Sequence, residues 1–247
     1  MTVLVLGGTG EARELAQVLC ENAADVVSSL AGRVNNPRLP VGAVRIGGFG
    51  GVDGLEAYLR TRGVDAVVDA THPFAKGISA NAADACRAAR IPLLRLQRPG
   101  WSDETGGWIR VACHEEAAQV AADGSGVFLS TGRQTLERFV EPLRKHRVVA
   151  RIVDPFDGDF PLGWTLVQAR GPYTFDGECA LMRKYEVDTL VTKDSGGDLT
   201  RAKLDAAAEL GVRVIMVSRP AGPPGVRTVA TVGEAAAWVF GPAVSRI

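Results

Sequence analysis

The 247-residue chain is long enough for one large domain or two smaller ones, and 46% hydrophobic with 23% charged residues describes a folded globular protein rather than a disordered one. Lys plus Arg and Asp plus Glu each total 28, so no net charge draws the chain to nucleic acid or to an anionic membrane surface. No apolar stretch approaches the ~20 residues that span a bilayer, and no basic segment precedes a long apolar run at the start, which predicts a cytosolic protein.

In chain order, Val3–Leu6 is a short, wholly apolar run suited to a parallel strand covered on both faces. Ala12, Leu15, Ala16 and Leu19 then recur at helical spacing. Strands are predicted at Val26–Leu30, Ala43–Ile46, Ala66–Val68 and Pro92–Leu96, with helices around Leu55 and Leu59 and over Ile78–Ala89. The Pro- and Gly-rich segment Arg98–Trp108 interrupts the rhythm and is read as a domain boundary, giving residues 1–97 and 98–247 as two domains. Beyond it, strands are predicted at Ile109–Val111, Gly126–Ser130, Val148–Val153, Leu166–Gln168, Thr189–Thr192 and Arg213–Val217. Helices are predicted over Glu115–Ala122, Thr135–Leu143, Gly177–Tyr185, Leu199–Leu210 and Gly233–Val239. The alternation predicts an α/β protein of two Rossmann-like lobes with mainly parallel sheets and a ligand cleft between them.

Ligands in such folds gather beyond the carboxyl ends of the strands. Gly7, Gly8 and Gly10 follow the first strand and open the first helix, where backbone N–H groups and the helix dipole favour a pyrophosphate. Thr9, Glu11, Ala12 and Arg13 complete this corner, with Arg13 where the third glycine of G-x-G-x-x-G would stand. The second strand and its exit, Val26 to Arg33, hold no acid to bond a ribose 2′-hydroxyl. Ser28, Ser29 and Arg33 stand there instead and suit a 2′-phosphate, which favours NADPH over NADH. Thr71 and His72 end the central strand beside the expected nicotinamide ribose, with His72 either a general acid or a hydrogen-bonding positioner. No tyrosine has a lysine four residues on, so the Tyr-x-x-x-Lys proton-transfer pair is missing. Cys20, Cys86, Cys113 and Cys179 form no C-x-x-C, and none of the three histidines is spaced with another as a metal pair, so no metal is expected.

The segments GGTGEAREL, SSLAGR, RIGGFGG, DATHPFA, STGR, RGPY and LVTKDSGGDLTRAKLDAA occur here in one order, from Val3 to about Pro220. In that order they resemble the precorrin-6A reductase family of cobalamin biosynthesis. Ala12 departs from the pattern, which more often has glycine after the glutamate; one added methyl should narrow the loop slightly. The resemblance implies NADPH-dependent reduction of the C18–C19 double bond in ring D of precorrin-6A, giving precorrin-6B. Relatives acting on the cobalt-bound ring keep cobalt-precorrin-6A open as substrate, and a noncatalytic NADP-binding sensor is the rival of another class. A tetrapyrrole-derived substrate bearing many carboxylates needs cations and N–H donors, which Thr131, Gly132, Arg133, Arg170, Tyr173, Lys193, Asp194, Ser195, Gly196 and Gly197 would offer at second-lobe corners. Lys193 either delivers the proton or orients a ring carboxylate. A monomer or weak homo-oligomer is expected, without nucleic-acid or membrane partners.

Overall fold

The computed structural model describes residues 1–32, 38–104, 106–155, 158–242 and 244. The first elements are β1 (Thr2–Leu6), α1 (Gly10–Glu21), β2 (Asp25–Leu30), β3 (Ala43–Ile46), α2 (Val52–Thr61), β4 (Ala66–Asp69), α3 (Lys76–Ala89) and β5 (Leu93–Leu96). Next come β6 (Ile109–Val111), α4 (His114–Ala121), β7 (Gly126–Leu129), α5 (Glu137–Val140), β8 (Arg147–Ile152), β9 (Trp164–Gln168), α6 (Phe175–Lys184), β10 (Thr189–Lys193), α7 (Ala202–Glu209) and β11 (Arg213–Val217). The chain closes with β12 (Arg227–Val229) and α8 (Val232–Val239).

These elements form two six-stranded sheets, ordered β12-β5-β4-β1-β2-β3 and β6-β11-β10-β7-β8-β9, with parallel pairing throughout. The uninterrupted apolar run of β1 follows from burial on both faces. Val3 and Val5 pack with Leu15 and Leu19 of α1 and Val239 of α8, whereas Leu4 and Leu6 pack with Leu55 and Leu59 of α2 and Ala82 and Cys86 of α3. In the second sheet Phe128, Val149, Leu190 and Met216 meet Met182 of α6 and Leu204 of α7.

Contacts divide the chain into one unit of Met1–Pro99 with Pro220–Ile247, and another of Gly100–Arg219. This corrects the assignment of residues 98–247 to a single domain. β12 pairs with β5 through Arg227–Leu94, Thr228–Arg95 and Val229–Leu96, and Ala235 and Val239 of α8 join the core of α1. The strand is three residues long with two of them exposed, too short to show alternation in sequence. Conversely, β6 follows β5 in the chain but pairs with β11. Each sheet's edge strand therefore comes from chain following the other sheet's fifth strand.

The predicted helix Thr135–Leu143 also differs, becoming a 3-10 turn at Arg133–Thr135 and the single turn of α5. Pro142 has no N–H to bond the carbonyl of Arg138, so the helix ends there. Among the described residues no helix is long and apolar enough to cross a membrane.

In the first sheet the strand order reverses between β1 and β4, and in the second between β7 and β10. The corners after these four strands hold most of the candidate residues.

Candidate active site

Gly7 N–H donates to Ser29 O at 2.9 Å, extending the β1–β2 ladder into the corner. Gly8 has φ +116°, a conformation that a side chain would strain, and it is this residue that lets the chain turn into α1. Thr9 caps α1: its Oγ1 accepts from Ala12 N–H at 3.1 Å and donates to Ala70 O at 2.8 Å. One hydroxyl thus holds the β1 corner against the β4 corner. The Ala12 methyl packs into the core beneath α1 and borders Gly7. Glu11 is held by Arg98 at 2.8 Å.

Gly7, Gly8, Arg13, Ser28 and Arg38 line one small groove here. Ser28 is buried, and its hydroxyl has no hydrogen-bond partner among the described residues. Arg33 lies outside the described residues, so the sequence's choice of cation cannot be placed. Two other arginines, which sequence reasoning missed, occupy the region. Arg38 lines the groove, and Arg45, the β3 partner of Ser29 in register, donates from Nη1 to Ser29 Oγ at 2.9 Å. Arg45 also donates to Gly47 O and Gly48 O and stacks on Phe49 at 3.7 Å from the ring centroid. The signal was strand register, which only a paired β2 and β3 reveal.

At the β4 corner, buried Asp69 accepts through Oδ1 from Thr71 N–H at 3.1 Å and Thr71 Oγ1 at 2.6 Å. Thr71 is thereby fixed in orientation. His72 Nδ1 accepts from Phe74 N–H at 3.3 Å, which leaves the ring proton of the neutral imidazole on Nε2.

The second sheet repeats the arrangement. After β7, Gly132 has φ +86°, buried Thr131 accepts from Thr135 Oγ1 at 2.9 Å, and Arg133 donates to Pro155 O at 2.9 Å. After β10, Gly196 and Gly197 have φ +65° and +76°, consistent with a turn that needs glycine twice. Lys193 ends β10, and burial pushes its pKa down to about 8. A Cβ built on Gly132 would lie 4.0 Å from Lys193 Nζ, so the corners after β7 and β10 meet at this ammonium group. Burial, then the charges of Lys193 and Arg138, push His114 down to about 4.

Asp194 is engaged inside its own unit. Its Oδ1 accepts from Trp101 N–H at 2.9 Å, and Arg110 and Arg219 lie 3.6 and 3.8 Å from its carboxylate. Trp101 Nε1 donates to Gly197 O at 3.0 Å, so the indole and Asp194 together brace the glycine turn that carries Ser195. Arg170 is exposed. Tyr173 donates its hydroxyl proton to Ala169 O at 3.0 Å and lies under the Arg151 guanidinium, 3.6 Å from its ring centroid. Burial raises the Tyr173 pKa. Sequence reasoning also missed Arg151, Glu178 and Lys203, a buried charged cluster behind these corners. Lys203 Nζ lies 4.7 Å from the Trp101 ring centroid, and burial, followed by the Arg151 charge, lowers its pKa to about 7.

Residues 2–240 match the family described as precorrin-6x reductase CbiJ/CobK. Precorrin-6A reductase of Rhodococcus erythropolis is 51% identical over 240 residues, 96% of each chain. Cobalt-precorrin-6A reductase of Priestia megaterium is 36% identical over 233 residues, covering 88% of this chain and 90% of that one. The solved structure of CobK precorrin-6A reductase superposes with a TM-score of 0.89 at 40% identity, covering 97% of this chain and 96% of the other. With nearly the whole chain matched and the fold shared, the protein belongs to the precorrin-6x reductase family.

Proposed function

We propose that this protein reduces the C18–C19 double bond in ring D of precorrin-6A to give precorrin-6B, using NADPH. The observation that carries the cofactor half of this reading is the β2 exit. Ser29 there is bonded to the Arg45 guanidinium, the Ser28 hydroxyl lining the groove has no partner among the described residues, and no acid lies along β2 from Val26. Together with the α1 N-terminus and Gly8, this donor set fits a nucleotide pyrophosphate and a 2′-phosphate. Arg13, Arg38 and Arg45 would supply the charge, and Thr71, fixed by Asp69, would accept or donate a ribose hydrogen bond. Identity of 51% to a precorrin-6A reductase against 36% to a cobalt-precorrin-6A reductase favours the metal-free ring.

NADPH, when bound, would supply the hydride for one carbon of the double bond, and a proton must reach the other. The protein's own work is to hold the partners close, to meet the ring carboxylates and to manage that proton. Arg133, Arg170 and the N–H groups of the Gly196–Gly197 turn are proposed to meet carboxylates. Half-buried Lys193, with a pKa of about 8, has the proton-donating strength that the step requires near neutral pH. His72, carrying its proton on Nε2, is proposed as a positioner at the β4 corner.

Anaerobic incubation with precorrin-6A and NADPH, following NADPH absorbance and the ring spectrum together, tests the reading. Coupled loss of one NADPH per ring reduced is expected; nucleotide binding without turnover would instead support the sensor reading. The cofactor preference has its own test. Arg45→Ala should weaken NADPH by about tenfold or more, the loss of a charged hydrogen bond worth roughly 1.5–3 kcal/mol, and leave NADH nearly unchanged. Arg33→Ala, titrated alongside, divides the contribution between the two arginines. Equal losses for both nucleotides would show that Arg45 only props the Gly47–Phe49 loop.

A further inference from the structure

A second groove lies in the first unit beside α3, and it shares no lining residue with the Gly7 groove. It has a volume of about 210 Å³, with Ala80 and Ala83 of α3 on one wall and the proline-rich segment Pro220–Pro224 on the other. Arg95 of β5 lines it and is only 4% exposed. Five N–H donors of that guanidinium have, among the described residues, a single long contact, Nη2 to Pro73 O at 3.5 Å. Its strand neighbour in register, Asp69, holds Thr71 through Oδ1 and buries Oδ2 without a hydrogen-bond partner among the described residues, and no ion pair within 4.0 Å joins it to Arg95 among those residues. Buried charge of this kind calls for a compensating partner. Gly222 bears on the same point. Its φ is outside the left-handed region, so its backbone does not require glycine, yet a Cβ there would lie 3.2 Å from Arg95 Nη1. The missing side chain leaves room at the guanidinium. Lys76 and Arg87 add positive charge to the lining, where Asp84 is the one carboxylate and is already paired with Arg87 at 2.8 Å.

We infer that this groove binds a carboxylate carried on an apolar body, received by the Arg95 fork between the alanine and proline walls. A planar guanidinium matches a carboxylate bidentately, and the walls match carbon rather than a naked ion. The carboxylate has two possible sources, a free dicarboxylic acid or an acetate or propionate arm of the tetrapyrrole-derived ring. The inference stands apart from the cofactor reading, since none of its residues lines the Gly7 groove.

The test uses the full chain saturated with NADP⁺, which has no hydride to transfer, titrated calorimetrically with glutarate and, separately, with precorrin-6A. Wild type is compared with Arg95→Met, which removes the fork, and with Ala80→Trp, which fills the groove from an exposed helical position and leaves Arg95 in place. At least a tenfold loss of affinity in both variants for one probe, with NADPH affinity unchanged, is expected. Loss for glutarate alone identifies a site for free acids, and loss for precorrin-6A alone identifies an anchor for the substrate. If Ala80→Trp binds both probes as wild type does, the inference is overturned, whatever Arg95→Met does to folding.

Discussion

Replacing Glu178 with alanine is expected to lower the unfolding free energy by about 3–5 kcal/mol, the range for breaking a buried ion pair by removing one partner. Glu178 and Arg151 pair directly, and their side chains are 2% and 7% exposed. Arg151 lies between Tyr173 and Phe128, with its guanidinium 3.6 and 4.9 Å from their ring centroids, so water has little access to it. Without Glu178 that cation faces aromatic rings and Lys203, whose pKa the glutamate now holds up against burial. The double change Glu178→Leu with Arg151→Met should cost much less than Glu178→Ala, because no charge is stranded. Urea unfolding followed by tryptophan fluorescence measures both. A loss below about 1 kcal/mol for Glu178→Ala would mean that solvent reaches Arg151 after all, since exposed pairs contribute only that much.

This cluster also marks the limit of what the sequence could disclose. β3, β6 and β11 are predicted to the residue because each strand's apolar content is local. The glycine corners after β1 and β10 are equally legible, since positive φ at Gly8, Gly196 and Gly197 restricts the residue type at those positions. Thr71 and Lys193 are legible for a related reason: they stand two residues past, or at the end of, strands whose limits are clear. What could not be read is whatever depends on pairing between distant segments. Arg45 reaches Ser29 only because β3 lies beside β2, and Arg151 meets Glu178 only because α6 covers β8. The return of β12 to β5 is the largest example, because three residues of edge strand carry no signal of which sheet they join. Asp194 shows the converse. Its position in the turn suggested a ligand contact, and the structure adds a bracing role that the sequence did not disclose: its carboxylate holds Trp101 through a hydrogen bond that spans 93 residues.

Lys193→Met is expected to retain NADPH and precorrin-6A and to lose turnover by ~10²–10⁴-fold, the contribution of a positioned acid. The structure supplies two reasons for assigning the proton to this side chain. Lys193 ends a central strand beside the point where the second sheet reverses order, and its ammonium lies near the Gly132 corner, where ligands of such sheets collect. Burial then lowers its pKa to about 8, so at pH 7 most molecules hold the proton and release it more readily than a solvated lysine would. The sign of the pH dependence follows. As pH rises through about 8 the acid form is lost, so kcat/KM should fall on the alkaline side in wild type, and Lys193→Met should lack that limb. A lysine that only holds a ring carboxylate predicts something else: Lys193→Met would raise KM, and saturating substrate would recover most of the rate. Single-turnover hydride transfer, with enzyme in excess and both ligands saturating, separates the two. A wild-type rate in Lys193→Met under those conditions would remove Lys193 as the acid and turn attention to His72 Nε2, the other candidate already carrying a proton.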